Sequence, residues 1–171
     1  TVAAASFDGI GGAGTAPMAQ ILPLRVFPAN SGARSLDVIA AMRYAAGLSN
    51  RTGFVPTRRA DVINLSLGSD NACDGAYRTA IADVRAAGTL VVVAAGNAGR
   101  NNSGVRAAVG SPANCAGAIA VSATDARRKV ANYSSTGTPV VVAAPGGDAS
   151  VSTTGSGAPD NVYSDIATFD A

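Results

Sequence analysis

Apolar positions along the chain change their period several times, and the changes mark out alternating strands and helices. The run Ile21-Leu22-Pro23-Leu24-Arg25-Val26 is bounded by turn formers and predicts a strand that tolerates proline near its start. A turn-rich stretch follows from Pro28 to Gly32. Ser35 is then placed to cap a helix whose Val38, Ile39, Met42 and Ala46 recur at helical spacing, with Gly47 ending it. The pattern repeats: residues 62–67 predict a strand, Asp74 a helix cap, and Tyr77, Ile81 and Val84 one apolar face before Gly88. Residues 90–95 form a continuous valine-rich run of the kind found in strands covered on both faces. Residues 118–121 and 140–143 predict two further short strands.

This alternation predicts an α/β fold. Its sheet is open and mostly parallel, in three layers with helices on both faces, and right-handed crossovers place ligand sites beyond the carboxyl ends of the strands. The loops after Leu67 and Ala95 are therefore the informative ones. A single domain is expected over residues 1–171, with a Gly-, Ser-, Thr- and Asp-rich tail from residue 146 that is expected to be loop-rich and mobile.

Composition removes several classes of function. An apolar share of 47% with 14% charged residues argues for a packed interior, and a net charge of +2 from scattered arginines is too weak to mark a nucleic-acid or anionic-membrane footprint. The basic clusters Arg58-Arg59 and Arg127-Arg128-Lys129 read as solvated loops. No apolar run approaches the roughly 18 residues of a membrane span, and Thr1 does not open a signal peptide. There is no histidine and every acidic residue is aspartate, so these residues alone hold no imidazole base and no glutamate. The lone Lys129 sits in a basic stretch where nothing would lower its pKa, which argues against a Ser-Lys dyad. Cys73 and Cys115 lack metal-site spacing; a disulfide or two buried thiols remain open on the residues alone.

Two glycine-rich segments invite chemistry. Residues 9–14 satisfy G-x-G-x-x-G, but Pro17 and the strand expected at Ile21 leave no room for the helix whose amides would hold a pyrophosphate, so the segment reads as a tight loop. The second, Ala94-Ala95-Gly96-Asn97-Ala98-Gly99, leaves a strand at its carboxyl end with a primary amide on a glycine-flanked turn. Such an asparagine can donate a hydrogen bond into a cleft, although turn asparagines are also common for conformational reasons alone.

The blocks Val62-Ile63-Asn64-Leu65-Ser66-Leu67-Gly68, Val91 to Gly99, Ser111-Pro112-Ala113 with Ala118 to Asp125, and Ala143-Ala144-Pro145-Gly146 resemble those of the subtilisin-like serine proteases and occur in the same order. Residues 1–5 resemble the helix that follows that family's His-Gly-Thr-His motif. Residues 14–17 and 21–26 resemble the loop and strand after it.

The resemblance implies roles by position. Asn97 matches the asparagine whose amide stabilises the oxyanion. Ser66, Leu67 and Gly68, with Ala94, Ala95 and Gly96, match the two segments that wall the primary specificity pocket, the first also pairing with substrate as an added strand. Ser31, Gly32 and Ala33 fall at the other edge of that groove. Asp8 falls in a loop that binds structural calcium in many members, where an aspartate before Gly9 could equally be a turn former; no cofactor is otherwise required. Cys73 and Cys115 match a disulfide pair of a bacterial secreted branch.

The catalytic aspartate, histidine and Gly-Thr-Ser motifs of that family are missing, and their places fall beyond Thr1 and Ala171. The resemblance therefore implies an incomplete subtilisin-like fold, inactive by itself, from a secreted or cell-surface endopeptidase whose partners are polypeptide substrates. The alternative is a binding module that holds peptide without cutting it. An excised piece of such a sheet is expected to self-associate.

Overall fold

The computed structural model describes residues 2–3, 9, 12–153 and 160–162. They fall in two compact units, Thr1–Pro23 with Val162–Ala171 and Leu24–Asn161. In the first, the Ala16 amide donates to Val2 O at 2.8 Å and a turn follows, with no helix or strand among its described residues.

The second unit is built on four parallel strands, β1 (Val62–Leu65), β2 (Leu90–Ala94), β3 (Ile119–Thr124) and β4 (Val140–Pro145), which stand in sequence order in the sheet. Helix α1 (Ser35–Ala45) precedes β1, and α2 (Gly75–Ala86) connects β1 to β2. A two-residue pair, β5 (Gly147–Asp148) with β6 (Asp160–Asn161), runs antiparallel beside it. These last two strands and residues 146, 149–153 and 162 are what is described of the glycine-rich tail; the rest of it lies outside the described residues.

Both helices end where the glycines predict. Gly47 has φ 70°, its amide donates to Tyr44 O and that of Leu48 to Arg43 O; Gly88 has φ 86°, with Gly88 N bonded to Arg85 O and Thr89 N to Val84 O. In each case a residue without Cβ takes the left-handed conformation and the last carbonyls are satisfied. Asp74 caps α2 as expected, its carboxylate accepting from Tyr77 N at 2.8 Å, which contributes about 1 kcal/mol. Ser35 does not cap α1. Arg34 occupies the cap position without a side-chain bond, and Ser35 is the first helical residue, its hydroxyl turned toward the Tyr77 phenol.

Val38 and Met42 from α1, Ile81 and Val84 from α2, and Ile63, Leu65, Val91, Val93 and Ala120 from the sheet form one core. The register pairs Leu65 with Val93 and Val93 with Ala120, so these residues share a face. Sequential parallel strands joined by right-handed crossovers put their connections on the same side, and the β2–β3 connection indeed adds Val109, Ala113, Cys115 and Ala118 to this core.

The expectation that β2 is covered on both faces is therefore not met among the described residues: Val91 and Val93 are buried, Val92 is half-buried and Leu90 is exposed. The strand order holds no reversal that would send a helix to the opposite face. Val62, Leu90 and Val142 lie exposed on that face. The strand predicted at Ile21 is also absent among the described residues, where 21–26 pair with no neighbour and Ile21, Leu22 and Leu24 are exposed.

Ile81 is fully buried between the two helices and the sheet. We expect Ile81→Ala to lower the unfolding free energy by about 2–5 kcal/mol in urea denaturation, because the side chain leaves a cavity as well as losing its burial.

Candidate active site

The chemistry-bearing segments leave the sheet side by side. Leu65 is paired with Val93, so the chain after β1 and the chain after β2 emerge as neighbours at the carboxyl edge. Between them opens a cavity of about 240 Å³, walled by Ser66, Leu67 and Gly68 with the two residues that follow, and by Ala94, Ala95, Gly96 and Asn97. The strand expected through Leu67 stops at Leu65 because Ser66 and its successors turn away to make this wall.

Gly110 and Ser111 close the cavity. Ser69 N donates to Ser111 O at 2.8 Å and Ser111 N to Asn71 O at 3.0 Å, an antiparallel bridge that brings the two backbones into contact. A Cβ at Gly110 would run into the Ser69 carbonyl, so only glycine fits there. Cys73 and Cys115 form a disulfide that ties the same two segments. Closing a 42-residue separation restricts the unfolded chain by about 4 kcal/mol in the chain-entropy account.

Asn97 stands where this cavity meets a second one, of about 540 Å³, which lies on the open face of the sheet and adds Asn64, Tyr133 and Gly146 to the lining. The Asn97 side chain is exposed and makes no hydrogen bond among the described residues, so its amide is available to an acceptor in the cleft. Its turn is nevertheless fixed: Gly96 has φ 112° and Gly99 φ 62°, Ser135 N donates to Gly96 O at 2.9 Å, and Gly99 N donates to Tyr133 O at 2.8 Å.

Of the other residues singled out in the sequence, Ser31, Gly32 and Ala33 form the approach to α1 and line neither cavity, with Ala33 packed against the core. Asp8 lies outside the described residues, as does part of the glycine-rich loop around it. Sequence reasoning did not single out Asn64, whose side-chain amide donates to Ser66 Oγ at 2.9 Å on the open face. Nor did it single out Tyr133, although Pro145-Gly146 held the signal. A Cβ at Gly146 would lie 2.5 Å from the Tyr133 hydroxyl and 2.7 Å from Ala123 Cβ, so that glycine exists to admit the phenol.

Two buried carboxylates hold the loops behind the site. Asp148 accepts from Asn132 N at 2.6 Å and from the Ser150 hydroxyl and amide; the Asn132 bond, then the Ser150 bonds, hold its carboxyl below the ordinary value. Burial pushes the Asp125 carboxyl up, but the Lys129 amide and the Arg127 guanidinium and amide outweigh it and keep this group low as well. Burial, aided by the nearby Asp148 charge, raises the Tyr133 phenol, which therefore stays protonated at neutral pH.

Residues 1–168 match peptidase S8, the subtilase family. The chain belongs to the subtilase family. Over 148 residues this subtilase is 41% identical to an extracellular protease of Xanthomonas campestris pv. campestris, which covers 85% of this chain and 24% of that protein. It is 37% identical to thermitase of Thermoactinomyces vulgaris over 144 residues, 84% of this chain and 46% of thermitase. Among solved structures, a protease of Pseudoalteromonas arctica PAMC 21717 superposes with a TM-score of 0.80 at 34% identity, covering 95% of this chain and 48% of that one. The chain thus spans less than half the length of these relatives.

The depressed Asp148 value fixes the sign of a pH dependence. Stabilisation from this carboxylate is fully present above its ordinary pKa of 3.8 and is lost as pH falls through the lower folded value. We expect Asp148→Asn to lower Tm at neutral pH and the gap from wild type to close as pH drops below 3.8, measured by circular dichroism melts in matched buffers.

Proposed function

We propose that these residues form the oxyanion and substrate-groove portion of a secreted serine endopeptidase, with nucleophile and base supplied by other parts of a longer protein. The supporting observation is Asn97: an amide with no partner among the described residues, on a braced turn, at the mouth of a cavity walled by the two segments that carry the family's groove motifs. The substrate's acyl side would add to residues 66–68 as an extra strand, and the side chain before the cut would enter the 240 Å³ cavity. Asn97 then donates to the carbonyl oxygen as negative charge builds on it. The names of relatives such as the Xanthomonas extracellular protease favour a secreted location.

Without histidine these residues have no imidazole to take the serine proton, so the isolated chain should not turn over peptide. Casein hydrolysis above a blank together with fluorophosphonate labelling of the 171-residue protein would overturn this. In the longer protein, Asn97→Ala should lower kcat by about 10²–10³ with little change in KM, a magnitude taken from a subtilisin. An unchanged kcat would remove the oxyanion role. Retained peptide binding with no hydrolysis by the longer protein would favour the binding-module reading instead.

The open sheet face gives the isolated chain a second property. Val62, Leu90 and Val142 present apolar surface to water, and we expect the 171-residue protein to self-associate, with Val142→Lys reducing the association. Light scattering across a concentration series that finds only monomer for the unaltered chain would sink this expectation.

A further inference from the structure

The Asn97 turn is not held by its own strand. It rests on the loop of residues 130–136, and that loop turns its carbonyls inward around one cation. Arg106 Nη1 donates to Ala131 O at 2.8 Å and Ser134 O at 3.2 Å, with Asn132 O at 3.5 Å, and Nη2 donates to Val130 O at 3.0 Å. The half-buried guanidinium forms no ion pair among the described residues, so these carbonyls are its charge partners. We propose that Arg106 is a positioning residue for the oxyanion site, fixing the loop against which Asn97 is seated.

The mechanical chain is short. Arg106 gathers the carbonyls of residues 130, 131, 132 and 134, and from the same loop Tyr133 O accepts from Gly99 N while Ser135 N donates to Gly96 O. Those two bonds flank Asn97. A third segment closes the network, since Ala107 N donates to Gly99 O at 2.8 Å and Thr136 N to Ala107 O at 3.0 Å. The packing leaves no slack: a Cβ at Gly99 would sit 3.1 Å from Asn132 O, and one at Gly96 would sit 3.0 Å from Ser135 Oγ. If the loop shifts, the turn must shift with it.

Arginine is the side chain suited to this place. Its planar fork presents five donors at fixed angles and can reach carbonyls on both sides of a turn, whereas a lysine ammonium is a single compact point. On the opposite side of the loop the Asp148 carboxylate takes the Asn132 amide at 2.6 Å. A cation on the carbonyls and an anion on an amide hold the loop from two directions. An oxyanion donor acts by being in place before charge develops, so stiffness in its support bears on turnover more than on substrate binding.

The catalytic part of this inference rests on the endopeptidase reading; the mechanical part does not, and the test separates them. In the 171-residue chain, Arg106→Ala should speed amide hydrogen exchange at Gly99 and Ser135 by about tenfold or more while Val91 and Val93 in β2 keep their protection. Unchanged exchange at Gly99 and Ser135, or equal loss in β2, would overturn the proposal. In the longer protein, Arg106→Ala should lower kcat by about tenfold with KM changed by less than about threefold, Arg106→Lys should fall between, and the kcat loss should disappear in an Asn97→Ala background. A full additive loss in that background would equally overturn it. If the longer protein hydrolyses nothing while the exchange pattern appears, the endopeptidase reading fails and the clamp stands.

Discussion

The parallel pairing of β1 with β2, Leu65 against Val93, is the constraint on which the site depends. Parallel strands end at the same edge, so two segments that are far apart in sequence leave the sheet together and must diverge to avoid each other. The gap they leave is the 240 Å³ cavity, and the turn after β2 carries Asn97 to its rim. Burial of Leu65, Val93 and Ala120 on one face locks this register, because a slip of one residue would turn those side chains out of the core. The hydrophobic effect thus places a polar amide that it never touches.

Close backbone approach is the second device. Gly110 lets the Ser69 backbone come near enough for an antiparallel bridge, and Gly146 admits the Tyr133 hydroxyl beside Ala123. Both are places where a methyl group would separate loops that have to meet. The disulfide adds a covalent tie between the segments bridged at Ser69 and Ser111, so the closed end of the cavity is held twice, by hydrogen bonds and by Cys73–Cys115. The rim near Asn97 has no covalent tie. It relies on hydrogen bonds among three loops.

Local signals in the sequence were legible where the physics is local. The glycine stops at Gly47 and Gly88 and the Asp74 cap follow from residue type and position, and they appear as expected. Four strands were legible from apolar runs, with ends off by a few residues. Ser35 misled because a good capping residue one place too late becomes the first helical residue. The run from Ile21 misled because strand propensity without a partner, and none pairs with it among the described residues, makes no strand. Among the described residues only one face of β2 is covered: an apolar run reports hydrophobicity, while which faces the local connections cover depends on strand order. Within the site, Ser66 to Gly68 and Ala94 to Asn97 were legible as blocks and share one cavity, whereas Ser31 to Ala33 do not reach it. The hold of Arg106 and Asp148 on the loop was invisible, since the loop groups they bond are backbone carbonyls and an amide 16 to 28 residues away and no spacing rule reports such a contact.

The division of labour in the site follows from what each group needs. A nucleophile and its base must exchange a proton, so they must be matched in pKa and free to move by fractions of an ångström. An oxyanion donor exchanges nothing. It needs only to stand still at the point where charge will appear, and a group that stands still can be built entirely from backbone geometry. On the proposed reading, that is why the support of Asn97 consists of carbonyls, amides and glycines, with the Arg106 guanidinium and the Asp148 carboxylate behind them. The Asn97 turn is therefore assembled completely by a stretch of chain that holds no histidine, and under the proposed reading its geometry would serve proton chemistry carried by other residues.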